Sequence, residues 1–256
     1  MTEITAIILA AGLGVRMGPR GKLTPKGLLR VGGATLIEQS VAALRAWGAA
    51  RIVIVTGHLS DQFEALFAGS DIELRHNPHY ATTGNLRSLA VGLEGVDGPC
   101  LILEGDLIYA PQVLDAVDGS SNRFLVSTAT GAGDEEYVWA TGVQGGPLHM
   151  VEVSKDLAVR PEPPLGEMIG VTELTAEAVR RMRRVALEVL SHDPEEFYEA
   201  GLVALSREDA IECVLLDGVP WAEIDDERML ERTEREVYPR IQAWRALKAA
   251  GGSPAA

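Results

Sequence analysis

The sequence predicts an α/β fold with a mostly parallel sheet covered by helices on both faces, and three observations support this prediction. Apolar, β-rich runs alternate with runs of helical periodicity through the first half of the chain. The strand runs are almost continuously apolar, as in 4–11 (ITAIILAA), which is typical of strands buried on both faces. The chain has 256 residues, 46% of them hydrophobic, which is enough for one large α/β domain or two small ones.

Strands and helices follow one another regularly in the first half. After the strand at 4–11, the predicted elements are a helix at 35–48, a strand at 50–57, a helix at 60–69, a strand at 72–77, a helix at 84–96 and a strand at 100–108. The first helix ends at Gly48, which suits a C-cap, and Ser60 or Asp61 lies near the N-cap of the second. This order predicts a Rossmann-like, three-layer α/β/α arrangement.

The second half is more mixed. Its predicted elements are strands within 121–131 and 138–156 with a hairpin at Gln144–Pro147, a helix at 175–190, a late strand pair at 213–225 and a final helix interrupted at Pro239. Glycine and proline cluster at 125–165, which predicts a small inserted region packed on one domain. The tail at 249–256 (AAGGSPAA) is expected to be disordered.

Composition excludes several classes of protein. The formal net charge is −14, from 37 acidic and 23 basic residues, so a nucleic-acid backbone would be repelled. No apolar run reaches the roughly 18 residues that a membrane span needs, and the apolar start lacks the basic segment of a signal peptide. The cytoplasm is therefore the expected compartment. Two cysteines, Cys100 and Cys213, lie in apolar runs and are expected to be buried structural thiols.

A glycine-rich loop follows the first strand over 9–29 (LAAGLGVRMGPRGKLTPKGLL). Gly12 and Gly14 allow positive φ and a close backbone approach, and successive N–H groups in such a loop can bind an anion. Arg16 and Lys26 supply positive charge suited to a triphosphate. Met17 stands where a dinucleotide-binding loop has its third glycine, and the glycine spacing of a P-loop is absent, so a Rossmann dehydrogenase is disfavoured.

The run AIILAAGLGVRM, followed by Pro-Lys-Gly, resembles the signature of the sugar-nucleotide pyrophosphorylase-like nucleotidyltransferases. Within that superfamily the chain is most similar to the choline-phosphate and 2-aminoethylphosphonate cytidylyltransferases. The resemblance implies a Mg²⁺-dependent enzyme that transfers a nucleotide from an NTP and releases pyrophosphate. It assigns the triphosphate to Gly12 and Gly14 and the neutralising charges to Arg16 and Lys26. Leu9, Ala10 and Ala11 are further expected nucleotide-binding residues of the same loop.

Residues 77–89 (NPHYATTGNLRSL) resemble the family segment that borders the nucleobase and ribose. The resemblance implies that Asn77, Asn85 and Ser88 contact the nucleotide, with CTP as the expected donor, and amide and hydroxyl groups can make such contacts. The alternative is that Thr82, Thr83 and Asn85 only cap a helix N-terminus.

Two carboxylate segments are candidates for the metal. Asp106 lies just past an apolar strand, where ligands bind in open α/β sheets, and Glu104 on the same side of the strand competes for the role. Asp225, within EIDD, resembles the second magnesium ligand of the family, and Glu223 lies beside it. Capping of the last helix by Asp225 or Asp226 is the alternative.

The acceptor side is expected in the inserted region and after it. Motifs around Lys155, Glu167, Tyr198 and Glu199 resemble the phosphonate branch, which implies that Lys155 binds the acceptor phosphate or phosphonate. Glu167, Tyr198, Glu199 and Glu223 are the candidates to receive an acceptor amine, although solvated charge also explains the acidic residues. Trp139 stands where the phosphonate branch usually has lysine. It could form an aromatic surface for a quaternary amine or lie in the core.

These observations predict a single domain over 1–248, with a nucleotide-binding half (1–125) and an acceptor- and metal-binding half (126–248). The predicted reaction transfers CMP from CTP, or a nucleotide from another NTP, to a small phosphorylated or phosphonated amino alcohol. A sugar-1-phosphate or inositol-phosphate nucleotidyltransferase is the nearest alternative, and a non-catalytic nucleotide-binding regulatory module is the alternative of another class. No nucleic acid or membrane partner is expected, and the oligomeric state stays open, a homodimer included.

Overall fold

The structure is a computed structural model that describes residues 3–133, 135–143 and 145–249. Among these residues the strands are β1 (Thr5–Ala10), β2 (Arg30–Val31), β3 (Ala34–Thr35), β4 (Arg51–Thr56), β5 (Glu73–His76), β6 (Cys100–Glu104), β7 (Leu107–Tyr109), β8 (Arg123–Ser127), β9 (Tyr137–Gly142), β10 (Leu148–Ser154), β11 (Gly166–Leu174), β12 (Glu212–Leu216) and β13 (Trp221–Glu223). The α-helices are α1 (Leu36–Trp47), α2 (Ser60–Leu66), α3 (Asn85–Gly92), α4 (Ala176–His192), α5 (Tyr198–Ser206), α6 (Glu227–Arg232) and α7 (Tyr238–Ala249). Apart from Ala249, the tail expected to be disordered lies outside the described residues.

The predicted fold class is confirmed: a central mixed sheet lies between layers of helices. Nine of the described strands form this sheet in the order β5-β4-β1-β6-β11-β8-β12-β10-β9. The first four are parallel, with Ile7 opposite Val53 on one side and Ile102 on the other. Strands of this kind need cover on both faces, which explains their continuous apolar character.

Each face of the sheet has its own apolar core. On one face, Ile7 and Leu9 pack in a cluster with residues of α3, α4 and α5. On the other, Ala6, Ile8 and Ala10 pack with residues of α1 and α2. Successive residues of a strand point to opposite faces, so a single apolar strand serves both layers. Cys100 and Cys213 are both buried and free, as expected.

Antiparallel pairing dominates the second half. β11 joins β6 and β8 antiparallel, and β10 joins β12 and β9 antiparallel, while β12 and β8 are parallel. β9 and β10 form the predicted hairpin, although Gln144 lies outside the described residues. β9 also pairs with the start of β11, with Gly166 opposite Val138, so the sheet curls at this end.

Two strand predictions are wrong in detail. The strand predicted over 100–108 is broken at Gly105, which packs so tightly on β1 that a Cβ there would lie 2.7 Å from the Leu9 carbonyl oxygen. The late pair at 213–225 consists of β12 and β13, but β13 pairs with β7 and not with β12. Gly218, with a φ of 71°, and Pro220 carry the chain away from the main sheet between them.

The helix ends follow local sequence rules in part. Thr35 and Glu38 form a capping box at the start of α1, and Gly48 ends it with a φ of 108°. Ser60 and Asp61 lie next to the N-cap of α2, as predicted, although Leu59 is the N-cap residue and no side chain caps the helix. The helix break predicted at Pro239 occurs as a π-helical turn over Thr233–Val237, just before this proline. The proline ring would collide with the preceding turn of a regular α-helix. No helix among the described residues is long and apolar enough to cross a membrane.

Candidate active site

A cleft of about 910 Å³ opens at the carboxyl ends of β1 and β6. This is the edge at which ligands bind in open α/β sheets. The lining residues are Leu9, Ala10, Ala11, Gly12, Leu13, Gly14, Val15, Arg16, Lys26, Gly27, Tyr80, Ala81, Thr82, Thr83, Gly84, Asn85, Ser88, Glu104, Gly105, Asp106, Glu136, Lys155, Glu195, Phe197, Glu199, Glu223 and Asp225. The cleft therefore brings together residues from both halves of the chain.

The glycine-rich loop forms one wall of this cleft. Gly14 has a φ of 62° and caps a short 3₁₀ turn, Val15–Met17, which folds the loop back on itself. Gly21 packs so close to this turn that a Cβ on it would lie 2.2 Å from the Gly14 carbonyl oxygen. Gly12 does not have a positive φ, but a Cβ on it would meet nothing within 4 Å, so the backbone there faces open space. Gly14 thus has the positive φ that the sequence predicts. Gly12 has only the predicted room for a close backbone approach.

Lys26 lies between two carboxylates at the floor of the cleft. Its Nζ is 2.8 Å from Asp106 Oδ2 and also contacts Asp225 Oδ1, and its side chain is 18% exposed. Burial alone would lower the pKa of Lys26, but the charges of Asp106 and Asp225 outweigh that effect and raise it. Arg16 Nη2 lies 2.8 Å from the same Asp225 oxygen. Lys26 is therefore a fixed positive charge at neutral pH.

A cluster of carboxylates surrounds this lysine. Glu104, Asp106 and Glu223 each place one oxygen within 4.8 Å of the others. Burial, followed by repulsion from neighbouring carboxylates, raises the pKa of both Glu104 and Glu223 well above the ordinary value. Gly170 makes room for Glu104, because a Cβ there would lie 2.4 Å from Glu104 Oε2. Carboxyl groups are thus crowded beside Lys26, and the raised pKa values of Glu104 and Glu223 mean that these two resist ionisation unless a further cation lies beside them.

The segments that carry the two predicted metal ligands are joined by their backbones. The Ile224 N–H donates to the Asp106 carbonyl oxygen at 3.1 Å, which extends the pairing of β13 with β7 by one step. Ile224 is fully buried in a third apolar cluster that also contains Met17 of the glycine-rich loop. This cluster positions the loop, Asp106 and Asp225 around one point.

The donor set suits a divalent cation with oxygen ligands. Mg²⁺ holds oxygens about 2.1 Å away, so ligands on opposite sides of it are about 4 Å apart, close to the spacing of this cluster. Asp225 Oδ2 is buried without a hydrogen-bond donor from the described residues, and a cation would satisfy it. The three clustered oxygens belong to Glu104, Asp106 and Glu223. Ligation by Asp106 and Asp225 stays a prediction, and Glu104, which competes with Asp106 on the sequence, belongs to the same cluster.

The segment predicted to border the nucleobase reaches the cleft only in part. Asn85 and Ser88 line it, at and after the start of α3. Asn77 is fully buried: its Nδ2 donates to Ser88 Oγ at 3.1 Å and its Oδ1 accepts from the His79 N–H. Asn77 is therefore placed to support Ser88 and not to contact a ligand. The N-cap of α3 is Gly84, without a side-chain cap, so the capping alternative is wrong.

The acceptor residues named from the sequence divide into two groups. Lys155, Glu199 and Glu223 line the cleft. Three others do not, because each is packed in the interior: Glu167 accepts from the Thr130 N–H at 2.7 Å, Trp139 donates to the Glu162 carbonyl oxygen at 2.8 Å, and the Tyr198 hydroxyl faces Met168. This corrects the expectation that Glu167, Tyr198 and Trp139 contact the acceptor. Tyr198 instead donates its N–H to Asn85 Oδ1 at 2.7 Å, which holds Asn85 at the cleft.

Sequence reasoning did not name several side chains that line the cleft, among them Tyr80, Phe197 and Glu136. Tyr80 lies opposite Gly57, where a Cβ would come within 2.6 Å of its ring, and Phe197 is 60% exposed at the other end. Glu136 lies 3.7 Å from Lys155 Nζ. Tyr80 stands inside residues 77–89 and Phe197 directly precedes Tyr198 and Glu199, so both could have been named from the motifs that contain them. Glu136 carries no local pattern that marks it.

Comparison with known proteins identifies a family for this chain. Residues 6–156, more than half of the chain, match the MobA-like NTP transferase domain. The chain is 36% identical over 130 residues to a CMP-5'-(3-aminopropyl)phosphonate synthase of Streptomyces rubellomurinus, a match that covers 49% of this chain and 21% of that protein. It is 37% identical over 114 residues to a 2-aminoethylphosphonate cytidylyltransferase of Lancefieldella rimae, covering 43% of this chain and 46% of that protein.

A solved structure extends the likeness to almost the whole chain. The CTP:phosphocholine cytidylyltransferase of Streptococcus pneumoniae superposes with a TM-score of 0.75 at 21% sequence identity, covering 91% of this chain and 98% of that one. At this identity the likeness shows the fold. The matches to the two curated relatives span less than half of each relative's length.

Proposed function

The chain belongs to the MobA-like NTP transferase domain family and is a nucleotidyltransferase, and we propose that it transfers CMP from CTP to a small phosphorylated or phosphonated amino alcohol, with Mg²⁺ as the cofactor and pyrophosphate as the second product. The observation that carries the proposal is a single cleft lined by the glycine-rich loop, by Lys26 between Asp106 and Asp225, and by Lys155. A triphosphate and an anionic acceptor can meet only where such groups converge.

The reaction needs positioning and neutralisation more than proton transfer. The acceptor oxygen that attacks the α-phosphorus of CTP is already anionic, so no general base is required. The attack forms the new P–O bond as the bond to pyrophosphate breaks, and negative charge grows on the departing group. Lys26 and Arg16, with the N–H groups of the loop, face that charge and stabilise it.

The carboxylates complete the site. Asp106, with Glu104, Glu223 and Asp225 around it, would hold the Mg²⁺ ion. Bound there, the ion supplies positive charge to the phosphate oxygens and neutralises a cluster that would otherwise repel both substrates. Lys26 keeps the two aspartates together and presents its own charge to the same oxygens.

The choice of nucleotide and acceptor rests on the relatives together with the charge of the cleft. The relatives' names specify CMP or cytidylyl transfer to aminoalkylphosphonates. The cleft of this chain contains Lys155 for an anionic end and the carboxylates Glu136 and Glu199 nearby, which suit a cationic end. An acceptor with both ends charged matches this arrangement, whereas a purely anionic sugar phosphate would meet the carboxylates uncompensated.

The test is pyrophosphate release with each of the four NTPs and a panel of acceptors. The panel contains 2-aminoethylphosphonate, phosphocholine, an inositol phosphate and glucose 1-phosphate, each with Mg²⁺ and with EDTA. We expect turnover with CTP, an amine-bearing acceptor and Mg²⁺. A preference for a sugar or inositol phosphate would refute the acceptor, and a preference for UTP or a purine nucleotide would refute cytidylyl transfer.

A further inference from the structure

A half-buried histidine, His58, contacts both limbs of the glycine-rich loop, the first limb at 9–14 and the second at 18–24. Its backbone N–H donates to the Ala11 carbonyl oxygen at 3.1 Å, in the first limb. Its imidazole Nε2 lies 2.8 Å from the Gly21 carbonyl oxygen, in the second limb. A carbonyl oxygen can only accept, so Nε2 carries the proton and donates it. One residue outside the loop therefore fixes both limbs.

The backbone around His58 is shaped for this contact. Gly57 lies so close to the loop that a Cβ on it would be 2.6 Å from the Ala11 carbonyl oxygen. Leu59 follows with a φ of 51°, and no other described residue apart from glycines has a positive φ. Such a conformation persists only where the surrounding contacts enforce it. The turn from β4 into α2 therefore holds His58 against the loop in spite of backbone strain.

The contact at Gly21 is transmitted to the groups that face the cleft. Gly21 packs directly on the Gly14 carbonyl group. Gly14 caps the 3₁₀ turn that contains Arg16, and a Cβ on Gly14 would lie 3.5 Å from Lys26 Cγ. A shift of Gly21 would therefore displace the turn that carries Arg16 and the contact beside Lys26. His58 itself does not line the cleft, so it acts through the loop.

The second limb depends on hydrogen bonds more than on packing. Gly21 is the one buried residue of 18–24, and a glycine has no side chain to bury. Gln62 Nε2 donates to the Leu23 carbonyl oxygen at 2.8 Å, but the Leu23 side chain is 73% exposed. Arg20 Nε lies 2.6 Å from Glu227 Oε1 in an exposed ion pair, which water screens. The imidazole is thus the polar anchor at the point where this limb is buried.

We propose that His58 is a positioning residue that keeps both limbs of the glycine-rich loop in the conformation that receives the triphosphate. The inference rests on the proposed function, which assigns the triphosphate to this loop, and it adds a residue to that site. A loop that is already ordered loses little conformational entropy when the nucleotide binds. Loss of the imidazole contact lowers the fraction of molecules with a competent loop, and the apparent affinity for the nucleotide falls by that fraction.

The experiment compares variants that remove the donor with one that restores it. His58→Leu has no donor, and the amide of His58→Asn is one bond too short, whereas the longer amide of His58→Gln can reach the same carbonyl oxygen. Trypsin cleavage after Arg20 and Lys22, mapped by mass spectrometry in ligand-free protein, reports how often the loop opens. One hydrogen bond corresponds to about two- to ten-fold in such an equilibrium, so cleavage should accelerate by that factor in the first two variants. His58→Gln should stay within about two-fold of the wild type.

Steady-state kinetics separate this role from a direct role in the chemical step. Bound CTP restores the order of the loop, so His58→Leu should raise KM for CTP by about two- to ten-fold and keep kcat within about two-fold. His58→Gln should return KM to the wild-type range. His192→Leu, which changes an exposed histidine at the end of α4, is the matched control and should leave cleavage, KM and kcat unchanged.

The outcomes separate the two proposals. Wild-type cleavage rates in both donor-free variants overturn the inference, as does a His58→Gln variant that is cleaved as fast as they are. A fall in kcat with unchanged KM also overturns it, and so does cleavage spread over the whole chain, which would indicate a general loss of stability. If the wild type does not turn over CTP, the proposed function fails, and the ligand-free cleavage rates still decide whether His58 holds the loop.

Discussion

Replacement of Lys26 by alanine separates transition-state stabilisation from nucleotide binding. Lys26 is 18% exposed and contacts Asp106 and Asp225, of which Asp225 is 2% exposed. A charge held in such surroundings is poorly screened by water, and in the proposed reaction it faces the oxygens on which charge grows. Loss of one such donor typically costs about 2.7–4 kcal/mol, so we expect kcat to fall by about 10²–10³-fold.

Stability should fall less than activity in the same variant. Breaking a buried ion pair costs about 3–5 kcal/mol when the remaining charge is left alone. Arg16 stays 2.8 Å from Asp225, and Asp106 is 17% exposed, so both carboxylates keep some compensation. We therefore expect the free energy of unfolding to fall by less than about 3 kcal/mol.

The assay is steady-state pyrophosphate release with thermal unfolding of the same preparation. Lys248→Ala is the matched control, because Lys248 also pairs with a carboxylate, Asp115, but at the exposed surface of α7. A Lys26→Ala variant with raised KM for CTP and unchanged kcat would refute the reasoning, since it would show that Lys26 binds only the ground state.

The remaining predictions concern the carboxylates. Asp106→Ala and Asp225→Ala should each cut turnover strongly with the fold intact, and near-normal turnover with Mg²⁺ in either variant would remove that residue from the metal site. Burial, then Glu136, raises the pKa of Glu199 from 4.5 to about 8. Its contribution to stability is therefore fully present below pH 4.5 and is lost as the pH rises through about 8. Without added metal, wild type should lose stability relative to Glu199→Gln between these values, by at most about 1.4 kcal/mol per pH unit. Parallel unfolding curves across that range would show that the carboxyl keeps an ordinary pKa.

Periodicity was enough to predict the first half of the fold. The strands β1, β4 and β5 and the helix α1 fall within the predicted ranges, because an apolar run between helices has one stable environment in a parallel sheet. The two errors in the predicted strands come from long-range contacts, and the central strand β11 was not predicted. Gly105 breaks a strand because it packs on Leu9, and β13 leaves β12 because its partner β7 lies more than 100 residues earlier.

The site was predictable where a motif placed several groups in a short stretch. Residues 9–14, Arg16 and Lys26 all line the cleft, as does Asp106. The acceptor end was less predictable, because its residues come from separate elements. Trp139 and Tyr198 are buried by contacts with Glu162 and Met168 that no local pattern reveals. Glu136 reaches the cleft only because β9 pairs with β11 beside it.

Detection of the coupled product tests the account most directly. Incubation with CTP, 2-aminoethylphosphonate and Mg²⁺ should yield pyrophosphate and a CMP-phosphonate anhydride in equal amounts, both visible by phosphorus NMR. Product should be absent when either substrate is omitted or when EDTA is added, and should form about 10²–10³-fold more slowly when Lys26 is replaced by alanine. Pyrophosphate formed only with UTP, a purine nucleotide, or a sugar or inositol phosphate would contradict cytidylyl transfer to an amino alcohol derivative.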